Sequence, residues 1–243
     1  MIIGILGLGE VGSAIKKLTS PKHTVYVREL SFDEIGTNKL DVLHICIPFT
    51  QTFVSAVTKL IRQNKPKLTI IDATVKPGTT QALHQKTGAN IVHAPIDGVH
   101  PHLYDYLFKF KKPIGAVNLQ SYQLAKKHFE DLDVATIRFD SPLETELAKV
   151  LSTTYYGWNI IFEKYVHNLC QHQSANFDQV YTKYNQIYNQ GYQQTHPHTI
   201  RPVLKHVDGK IGGHCVIPNA EIMDDWQGDA FTKFLLDQNK KLK

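Results

Sequence analysis

The sequence predicts an α/β protein built on a doubly wound parallel sheet, followed by a long interdomain helix and a small helical domain. Two observations carry this expectation. Strand and helix patterns alternate over the first 140 residues, and an unbroken helical pattern begins at Ser141. We therefore place a sheet-bearing domain at residues 1–140 and a helical domain at residues 141–243.

The chain opens with an apolar strand that runs into three glycines. Gly7, Gly9 and Gly12 follow this strand at G-x-G-x-x-G spacing, and a helical pattern follows them. The first glycine permits a tight turn, the second lets a pyrophosphate approach the backbone, and the third lets helix and strand pack closely. The stretch predicts a Rossmann-type dinucleotide site, to which we also assign Glu10 and Val11 at the start of the helix.

The second strand indicates which dinucleotide is bound. Glu29 ends this strand about 17 residues after Gly12, close to where a carboxylate binds the ribose 2′-hydroxyl of NAD. Arg28 beside it is suited to the 2′-phosphate of NADP instead. We expect NAD as the cofactor and count both Arg28 and Glu29 among the cofactor-binding residues.

The rest of the first domain is predicted from apolar segments bounded by turn residues. The strands are expected at Asp41–Ile47, Leu68–Ala73, Asn90–Ala94, Pro113–Val117 and Ala135–Phe139. Helices are expected at residues 50–61 and 120–132, with a short helix after residue 80 and an irregular stretch before residue 112. Pro48 and Thr74 each follow a predicted strand, and we assign both to the cofactor site.

The helical domain begins with a capping box, Ser141-Pro142-Leu143-Glu144. Apolar periodicity continues to about Cys170, which predicts a helix of roughly 45 Å at 1.5 Å per residue. Helices of this length often form domain spines or dimer interfaces, so we expect a homodimer through residues 141–173. A second helix is predicted from Phe177 to about Gln190 and should end at Gly191.

Composition excludes several classes of protein. A net charge of +5 without a clustered basic face argues against nucleic-acid binding. The sequence contains no apolar run of about 18 residues, so no membrane span is predicted. Three widely spaced cysteines argue for a reducing compartment and a cytoplasmic location. The two His-Pro-His elements, at residues 100–102 and 196–198, are interpreted as surface loops, so no metal site is predicted.

Two further elements carry chemistry. Cys215 follows Gly212 and Gly213 and precedes a helix expected to begin around Asn219, where a thiolate would be favoured as a nucleophile. Lys149 is expected on one helix face with Glu146 and Thr153, where an ammonium group can stabilise a developing alkoxide. Two alternatives remain open: Cys215 as an inert buried cysteine, and Lys149 in a solvent-exposed ion pair with Glu146.

Together with the turn Ala73-Thr74-Val75-Lys76-Pro77-Gly78, these elements resemble the UDP-glucose/GDP-mannose dehydrogenase family over residues 1 to about 225. The resemblance implies a double, NAD-dependent oxidation of a sugar primary alcohol to a carboxylate. The intermediate aldehyde is held on a cysteine, first as a thiohemiacetal and then as a thioester. Carried over to this chain, Cys215 is the covalent catalyst and Lys149 the electrostatic stabiliser, with Thr74, Thr153 and Asn219 at further catalytic positions.

The chain departs from the family at several of these positions. Thr153 replaces an asparagine, and Asn219 replaces an aspartate that helps to activate water; an amide is no base, and we expect it to cap the next helix instead. In residues 94–100, Ile96 replaces one glutamate and His100 stands where a second would be, so His100 is the candidate substitute base. The sequence ends 28 residues after Cys215, without the family's domain that closes over the substrate nucleotide.

The predicted function is therefore an NAD-dependent dehydrogenase that oxidises an alcohol of a sugar or nucleotide-sugar-like substrate, with impaired deacylation of the Cys215 thioester. One alternative is a one-step 3-hydroxyacid dehydrogenase, which does not need the cysteine. Another is a degenerate module that binds NAD without turnover. A reactive, NAD-protected thiol at Cys215 favours the first function, and an inert thiol favours the other two.

Overall fold

The computed structural model describes residues 1–242, and the chain forms two compact units, Met1–Lys149 and Val150–Lys243. The first unit contains a seven-stranded sheet. Its strands are β1 (Ile2–Leu6), β2 (Thr24–Arg28), β3 (Val42–Ile45), β4 (Leu68–Ile71), β5 (Ile91–His93), β6 (Lys112–Ala116) and β7 (Thr136–Phe139). The strand order is β2-β1-β3-β4-β5-β6-β7. The predicted α/β, Rossmann-type sheet is confirmed.

One pair of neighbours in the sheet is antiparallel, so the sheet is mostly rather than wholly parallel. Strand β6 pairs with β5 in opposite directions, with Val92 opposite Ala116 and His93 opposite Gly115, whereas β6 and β7 are parallel. A parallel pairing needs a crossover of a dozen or more residues, usually a helix that returns the chain to the starting edge. The segment between β5 and β6 contains only the four-residue helix α4 (Leu103–Tyr106), which does not return the chain across the sheet. The chain therefore enters β6 at the same end of the sheet at which it leaves β5.

Helices cover the sheet because their apolar residues recur at helical spacing. The helices are α1 (Glu10–Thr19), α2 (Phe53–Asn64), α3 (Thr79–Thr87) and α5 (Leu119–Glu130). One apolar cluster joins Ile3 and Ile5 of β1 to α1 and α5, and a second joins Leu43 and Ile45 of β3 to α2 and α3. Successive side chains of a strand point to opposite faces, so this division places helices on both sides of the sheet.

The long helix α6 (Pro142–His172) matches the predicted helix within two residues. The first compact unit includes its opening turns and ends at Lys149, nine residues beyond the expected boundary at residue 140. Contacts of those turns explain the difference, since Thr145 hydrogen-bonds His93 of β5 and Lys149 hydrogen-bonds the segment after β5. Gly115 of β6 leaves room for them, because a Cβ there would lie 2.7 Å from the Cα of Pro142.

The second unit is helical, as predicted. After α6 it contains a π-helical turn (Asp178–Lys183), α7 (Tyr184–Tyr192), a short 3₁₀ turn (Pro197–Thr199), α8 (Val216–Gln227) and α9 (Ala230–Lys241). Its core contains Ile161, Ile211, Val216, Ala220 and Leu235. Gly157 permits the close packing of this core, because a Cβ there would lie 2.7 Å from Val216 and 3.0 Å from Leu235.

Two local predictions in this unit are wrong. Gly191 does not end α7, since the helix continues to Tyr192 and the next residue also has right-handed helical angles. Helix α8 begins at Val216, three residues before the expected start, so Asn219 lies inside its first turn and does not cap it. Within residues 1–242, no helix is both long and apolar enough to cross a membrane.

A chain of polar side chains crosses the core of the first unit. Nδ1 of His44 lies 2.7 Å from a carboxylate oxygen of Asp72, and Nε2 of His44 lies 3.0 Å from Nε2 of His128. The ammonium group of Lys112 lies 3.1 Å from the other carboxylate oxygen of Asp72. All four side chains are buried. We call this set the buried polar chain.

Burial also sets the protonation of two histidines. It lowers the pKa of His128 to about 2 and that of His93 to about 3, because the charged imidazolium is desolvated in the core. The unfolded chain protonates these histidines below about pH 6.5, whereas the folded chain keeps them neutral. The folded state therefore loses stability as the pH falls from about 6.5 toward 3, by up to about 1.4 kcal/mol per pH unit for each histidine.

We predict that His128→Gln makes the free energy of unfolding fall less steeply between pH 6.5 and 5 than in the wild-type chain. Glutamine keeps a polar group beside His44 but takes up no proton in this range. Urea denaturation at a series of pH values measures the slope. The control is His102→Gln, which removes an exposed histidine of the same unit and should leave the slope unchanged. A wild-type slope in His128→Gln would show that this histidine does not carry the effect.

Candidate active site

The candidate site of the first unit lies at the carboxyl ends of β1 and β3. These strands are neighbours, but the chain leaves them toward opposite sides of the sheet, because β2 flanks β1 and β4 flanks β3. Ligands of open α/β sheets bind at such a switch point. The glycine turn follows β1, and Pro48 lies exposed shortly after β3. The sheet thus brings the predicted Pro48 and the glycine turn to one edge.

The three glycines of the turn meet different physical demands. Gly7 has a φ of +92°, which favours glycine, and its N–H donates to the carbonyl of Arg28 at 2.9 Å. A Cβ at Gly12 would overlap the carbonyl oxygen of Gly7, so only glycine allows α1 to approach β1 this closely. A Cβ at Gly9 would meet nothing within 4 Å. Gly9 therefore leaves open space at the amino terminus of α1, where a phosphate group fits.

Glu29 lies beside this turn. One of its carboxylate oxygens accepts the backbone N–H of Leu8, and the other lies 3.2 Å from the backbone N of Leu30. Arg28 forms an ion pair with Asp33, and this contact lowers the pKa of the Asp33 carboxyl group. Glu29 is therefore next to the open space at Gly9, whereas the guanidinium of Arg28 already has a carboxylate partner.

Other predicted residues lie near the same edge. Thr74 is half-buried three residues after the end of β4. The imidazole of His100 forms an ion pair with the carboxylate of Glu10, in the first turn of α1. The structure thus joins the segment after β5 to the start of α1 through a predicted catalytic residue and a predicted cofactor residue. Val11 is half-buried against the apolar core beside α1.

Lys149 projects from α6 onto the segment that follows β5. Its ammonium group donates to the carbonyl of Ile96 at 2.7 Å and to the carboxylate of Asp97 at 2.8 Å. The side chain of Lys149 is 16% exposed, and the side chain of Asp97 is 43% exposed. A charged, partly exposed ammonium group held by two oxygen acceptors can stabilise a nearby oxyanion.

Glu146, one turn earlier on α6, has a structural role. Its carboxylate accepts the backbone N–H groups of Gly78 at 2.6 Å and Thr80 at 2.8 Å, together with the hydroxyl of Thr80 at 2.6 Å. Burial raises the pKa of this carboxyl group, although the three hydrogen bonds oppose the shift. The alternative interpretation, a solvent-exposed ion pair between Glu146 and Lys149, is wrong because Glu146 is fully buried.

In the second unit, Cys215 occupies the N-cap position of the twelve-residue helix α8. It is half-buried, whereas Gly212, Gly213 and His214 before it are exposed. Gly213 has a φ of +81°, a conformation that favours glycine. The N-cap position faces the positive end of the helix dipole. The earlier start of α8 therefore places the predicted nucleophile at the helix terminus itself.

Asn219 and Thr153 form a pair within this unit. The side-chain amide of buried Asn219 donates to the hydroxyl oxygen of Thr153 at 2.8 Å, and that hydroxyl donates to the carbonyl of Val150 at 3.0 Å. Both positions were identified as departures from the family pattern. The structure shows that the side chains at these two positions contact each other.

Sequence reasoning missed two parts of the first unit's site. Asp97 lies within residues 94–100 but was not singled out, because it is four residues beyond the end of β5 and no local pattern marks it as the partner of Lys149. The buried polar chain was missed because its members lie far apart in the sequence. In the described part of the chain, no group of three or more His, Cys, Asp or Glu residues is arranged to hold a metal ion.

No family model matches the sequence. The UDP-N-acetyl-D-mannosamine dehydrogenase of Methanocaldococcus jannaschii is 23% identical to the chain over 222 residues. The match covers 84% of this chain and 46% of that enzyme, so the chain spans less than half the length of this curated relative.

Solved structures resemble the chain in fold. The UDP-D-ManNAc dehydrogenase of Pyrococcus horikoshii has a TM-score of 0.75 at 16% identity, over 99% of this chain and 68% of that chain. The 3-hydroxyisobutyrate dehydrogenase of Mycobacterium tuberculosis has a TM-score of 0.72 at 16% identity, over 97% of this chain and 91% of that chain. The Rossmann fold that they share with the first unit supports the prediction of NAD as the cofactor. The chain has the fold of the UDP-glucose/GDP-mannose dehydrogenase family, as the motifs of its sequence imply.

Proposed function

We propose that the chain is an NAD-dependent dehydrogenase that oxidises an alcohol of a nucleotide sugar. The observation that carries the proposal is the glycine turn, in which Gly12 allows close helix packing while Gly9 leaves open the space beside the helix terminus. Two relatives named as UDP-sugar dehydrogenases support the substrate class. When bound, NAD would accept the hydride that the alcohol carbon loses at each oxidation.

The proposed cofactor contacts come from the first unit. The N–H groups at the start of α1 and the space at Gly9 suit the pyrophosphate, and Glu10 and Val11 begin the helix there. The carboxylate of Glu29 suits a ribose 2′-hydroxyl and repels a 2′-phosphate. Since Arg28 is paired with Asp33, the site favours NAD over NADP.

We predict that the chain binds NAD more tightly than NADP and that Gly9→Val abolishes binding without unfolding the first unit. The valine side chain enters open space, so it does not clash with the protein. It would instead occupy the space proposed for the pyrophosphate of the cofactor. Isothermal titration calorimetry measures both affinities, and circular dichroism checks the fold. The control is Gly191→Val, which also places a side chain in open space but lies in α7. Tighter binding of NADP would overturn the role of Glu29 in favour of Arg28.

Two side chains are proposed to act on the substrate. Lys149 stabilises the alkoxide that forms as the alcohol gives up its proton to water and that becomes the carbonyl as the hydride leaves, since its ammonium group is partly exposed and held by Ile96 and Asp97. The Cys215 thiolate adds to the resulting aldehyde carbon, and the aldehyde oxygen takes a proton to give a thiohemiacetal. Loss of a hydride to a second NAD and of the hydroxyl proton to water would convert the thiohemiacetal to a thioester. Hydrolysis then releases the carboxylate and restores the thiol.

The last step of this sequence lacks the family's base. Asn219 has no basic group, and its amide is hydrogen-bonded to Thr153. General-base catalysis typically contributes about 10²–10⁴-fold to a rate. We therefore propose that the Cys215 thioester is hydrolysed slowly, unless His100 serves as the base.

We predict that the chain accumulates an acyl adduct on Cys215 during turnover with NAD and UDP-N-acetyl-D-mannosamine or UDP-glucose. Intact-protein mass spectrometry would detect the adduct, and peptide mapping would locate it. Cys215→Ser should remove the adduct, whereas Cys46→Ser should not, because Cys46 is buried directly after β3. Burial also raises the pKa of the Cys46 thiol, which makes it a poor nucleophile.

Asn219→Asp should accelerate loss of the adduct, since it restores a carboxylate, and the Thr153 hydroxyl can turn to donate to it. His100→Ala should slow the loss further if His100 is the substitute base. Two NADH per substrate with no adduct, together with unchanged kinetics in His100→Ala, would contradict the proposal of a missing base.

A homodimer through residues 141–173 is also proposed. Large apolar side chains on α6 are exposed at roughly heptad spacing: Leu151, Tyr155, Phe162, Tyr165 and Leu169. A contiguous exposed apolar stripe of this kind typically marks an interface. We predict that the chain sediments as a dimer and that Phe162→Glu with Tyr165→Glu gives a folded monomer. Wild-type chain that remains monomeric at micromolar concentration in sedimentation equilibrium would exclude this interface.

A second candidate function is a one-step dehydrogenase of a 3-hydroxyacid. The supporting observation is likeness of fold, since the 3-hydroxyisobutyrate dehydrogenase of Mycobacterium tuberculosis matches 97% of this chain with a TM-score of 0.72. Such a reaction needs Lys149 but no thiol. NAD-dependent activity toward a hydroxyacid that survives Cys215→Ser and is lost in Lys149→Met would favour this candidate.

A further inference from the structure

The segment Pro95–Asp97, which accepts hydrogen bonds from Lys149, is held from a second side by a buried charge. The ammonium group of Lys112, at the start of β6, lies 3.4 Å from the carbonyl of Pro95 and donates to it. The carbonyl of Ile96 and the carboxylate of Asp97 accept from Lys149. Two ammonium groups therefore bind three consecutive residues of this segment.

Lys112 is itself fixed by the buried polar chain. Its ammonium group lies 3.1 Å from the carboxylate of Asp72, and 5.1 Å from the centre of the Phe129 ring. Nδ1 of His44 lies 2.7 Å from the other oxygen of the same carboxylate. Lys112 and Asp72 are 3% and 2% exposed, so little water screens their attraction.

The two partners of Lys112 belong to the loops that carry the site. Asp72 lies one residue beyond β4 and two residues before Thr74, whereas Pro95 lies two residues beyond β5. Strands β4 and β5 are parallel neighbours, so both loops leave the same edge of the sheet. One buried ammonium group thus joins the loop of Thr74 to the loop that binds Lys149.

We propose that Lys112 is a positioning residue, which fixes Lys149 by holding the Pro95–Asp97 segment against Asp72. Burying an ion pair is usually no more stabilising than an apolar pair of the same size, so stability alone gives little reason for it. A fixed acceptor segment gives a reason, because an electrostatic catalyst must be held in place before the charge develops. The inference rests on the proposed role of Lys149.

The test measures the reactivity of Lys149 in the protein without substrate. Trace acetic anhydride labels lysines in proportion to their free amine and access, and peptide mass spectrometry compares Lys149 with Lys67 in the same sample. The variant is Asp72→Asn with Lys112→Met, which removes both charges so that neither is left unpaired. Methionine retains a favourable contact with the Phe129 ring. The relative rate of Lys149 should rise roughly five-fold, as its acceptors loosen.

The matched control is His128→Gln, which changes the same buried polar chain but touches neither loop. Lys149 should keep its wild-type rate in this variant. A wild-type rate in the charge-free variant, or an equal rise in His128→Gln, would overturn the inference. If the methionine variant does not fold, Asp72→Asn with Lys112→Gln takes its place. Glutamine is one bond shorter than lysine, so its amide does not reach Pro95. A wild-type rate in this variant, or an equal rise in His128→Gln, would again overturn the inference.

Failure of the proposed function is distinguishable from failure of this inference. Activity that is unchanged in Lys149→Met would remove Lys149 from the mechanism, whatever Lys112 does. An unchanged labelling rate would remove Lys112 as a positioning residue, with the mechanism intact.

Discussion

The close approach of Gly12 to the carbonyl oxygen of Gly7 is the constraint on which the first unit's site depends. Because no Cβ intervenes, α1 begins directly above the end of β1. Its amino terminus then lies at the point where the chain departs to opposite sides of the sheet. Gly9 is left facing open space, and Glu29 reaches back to the backbone N–H of Leu8. A larger residue at position 12 would move all of these groups together.

Much of the fold could be predicted because it depends on local periodicity. Buried strands such as β3 and β4 are continuous apolar runs, and helices such as α2 have apolar residues at helical spacing. The direction of β6 could not be predicted, since a strand's pattern is the same in either direction. The end of α7 was misplaced because a glycine within a helix is only mildly unfavourable and does not by itself end the helix.

The candidate site divides in the same way. The glycine turn and the position of Cys215 before a helix are local features, and both were predicted from neighbouring residues. The partners of Lys149, Glu146 and Asn219 are 52, 66 and 66 residues away along the chain. No local pattern identifies such pairs. The resemblance to a family supplied positions for these residues, but it did not supply their contacts.

The carboxylate of Glu146 has a consequence for the order in which the first unit folds. Helix α3 begins at a glycine N-cap without a side-chain cap of its own, and Glu146 supplies the acceptor for its first N–H groups. A helix of nine residues is marginal in isolation, so α3 depends on a partner that is synthesised 66 residues later. In kinetic terms this is a contact of high sequence separation, whose loop must close before it stabilises anything. We therefore expect the start of α3 to form late in folding, after the opening turns of α6 have packed against the sheet.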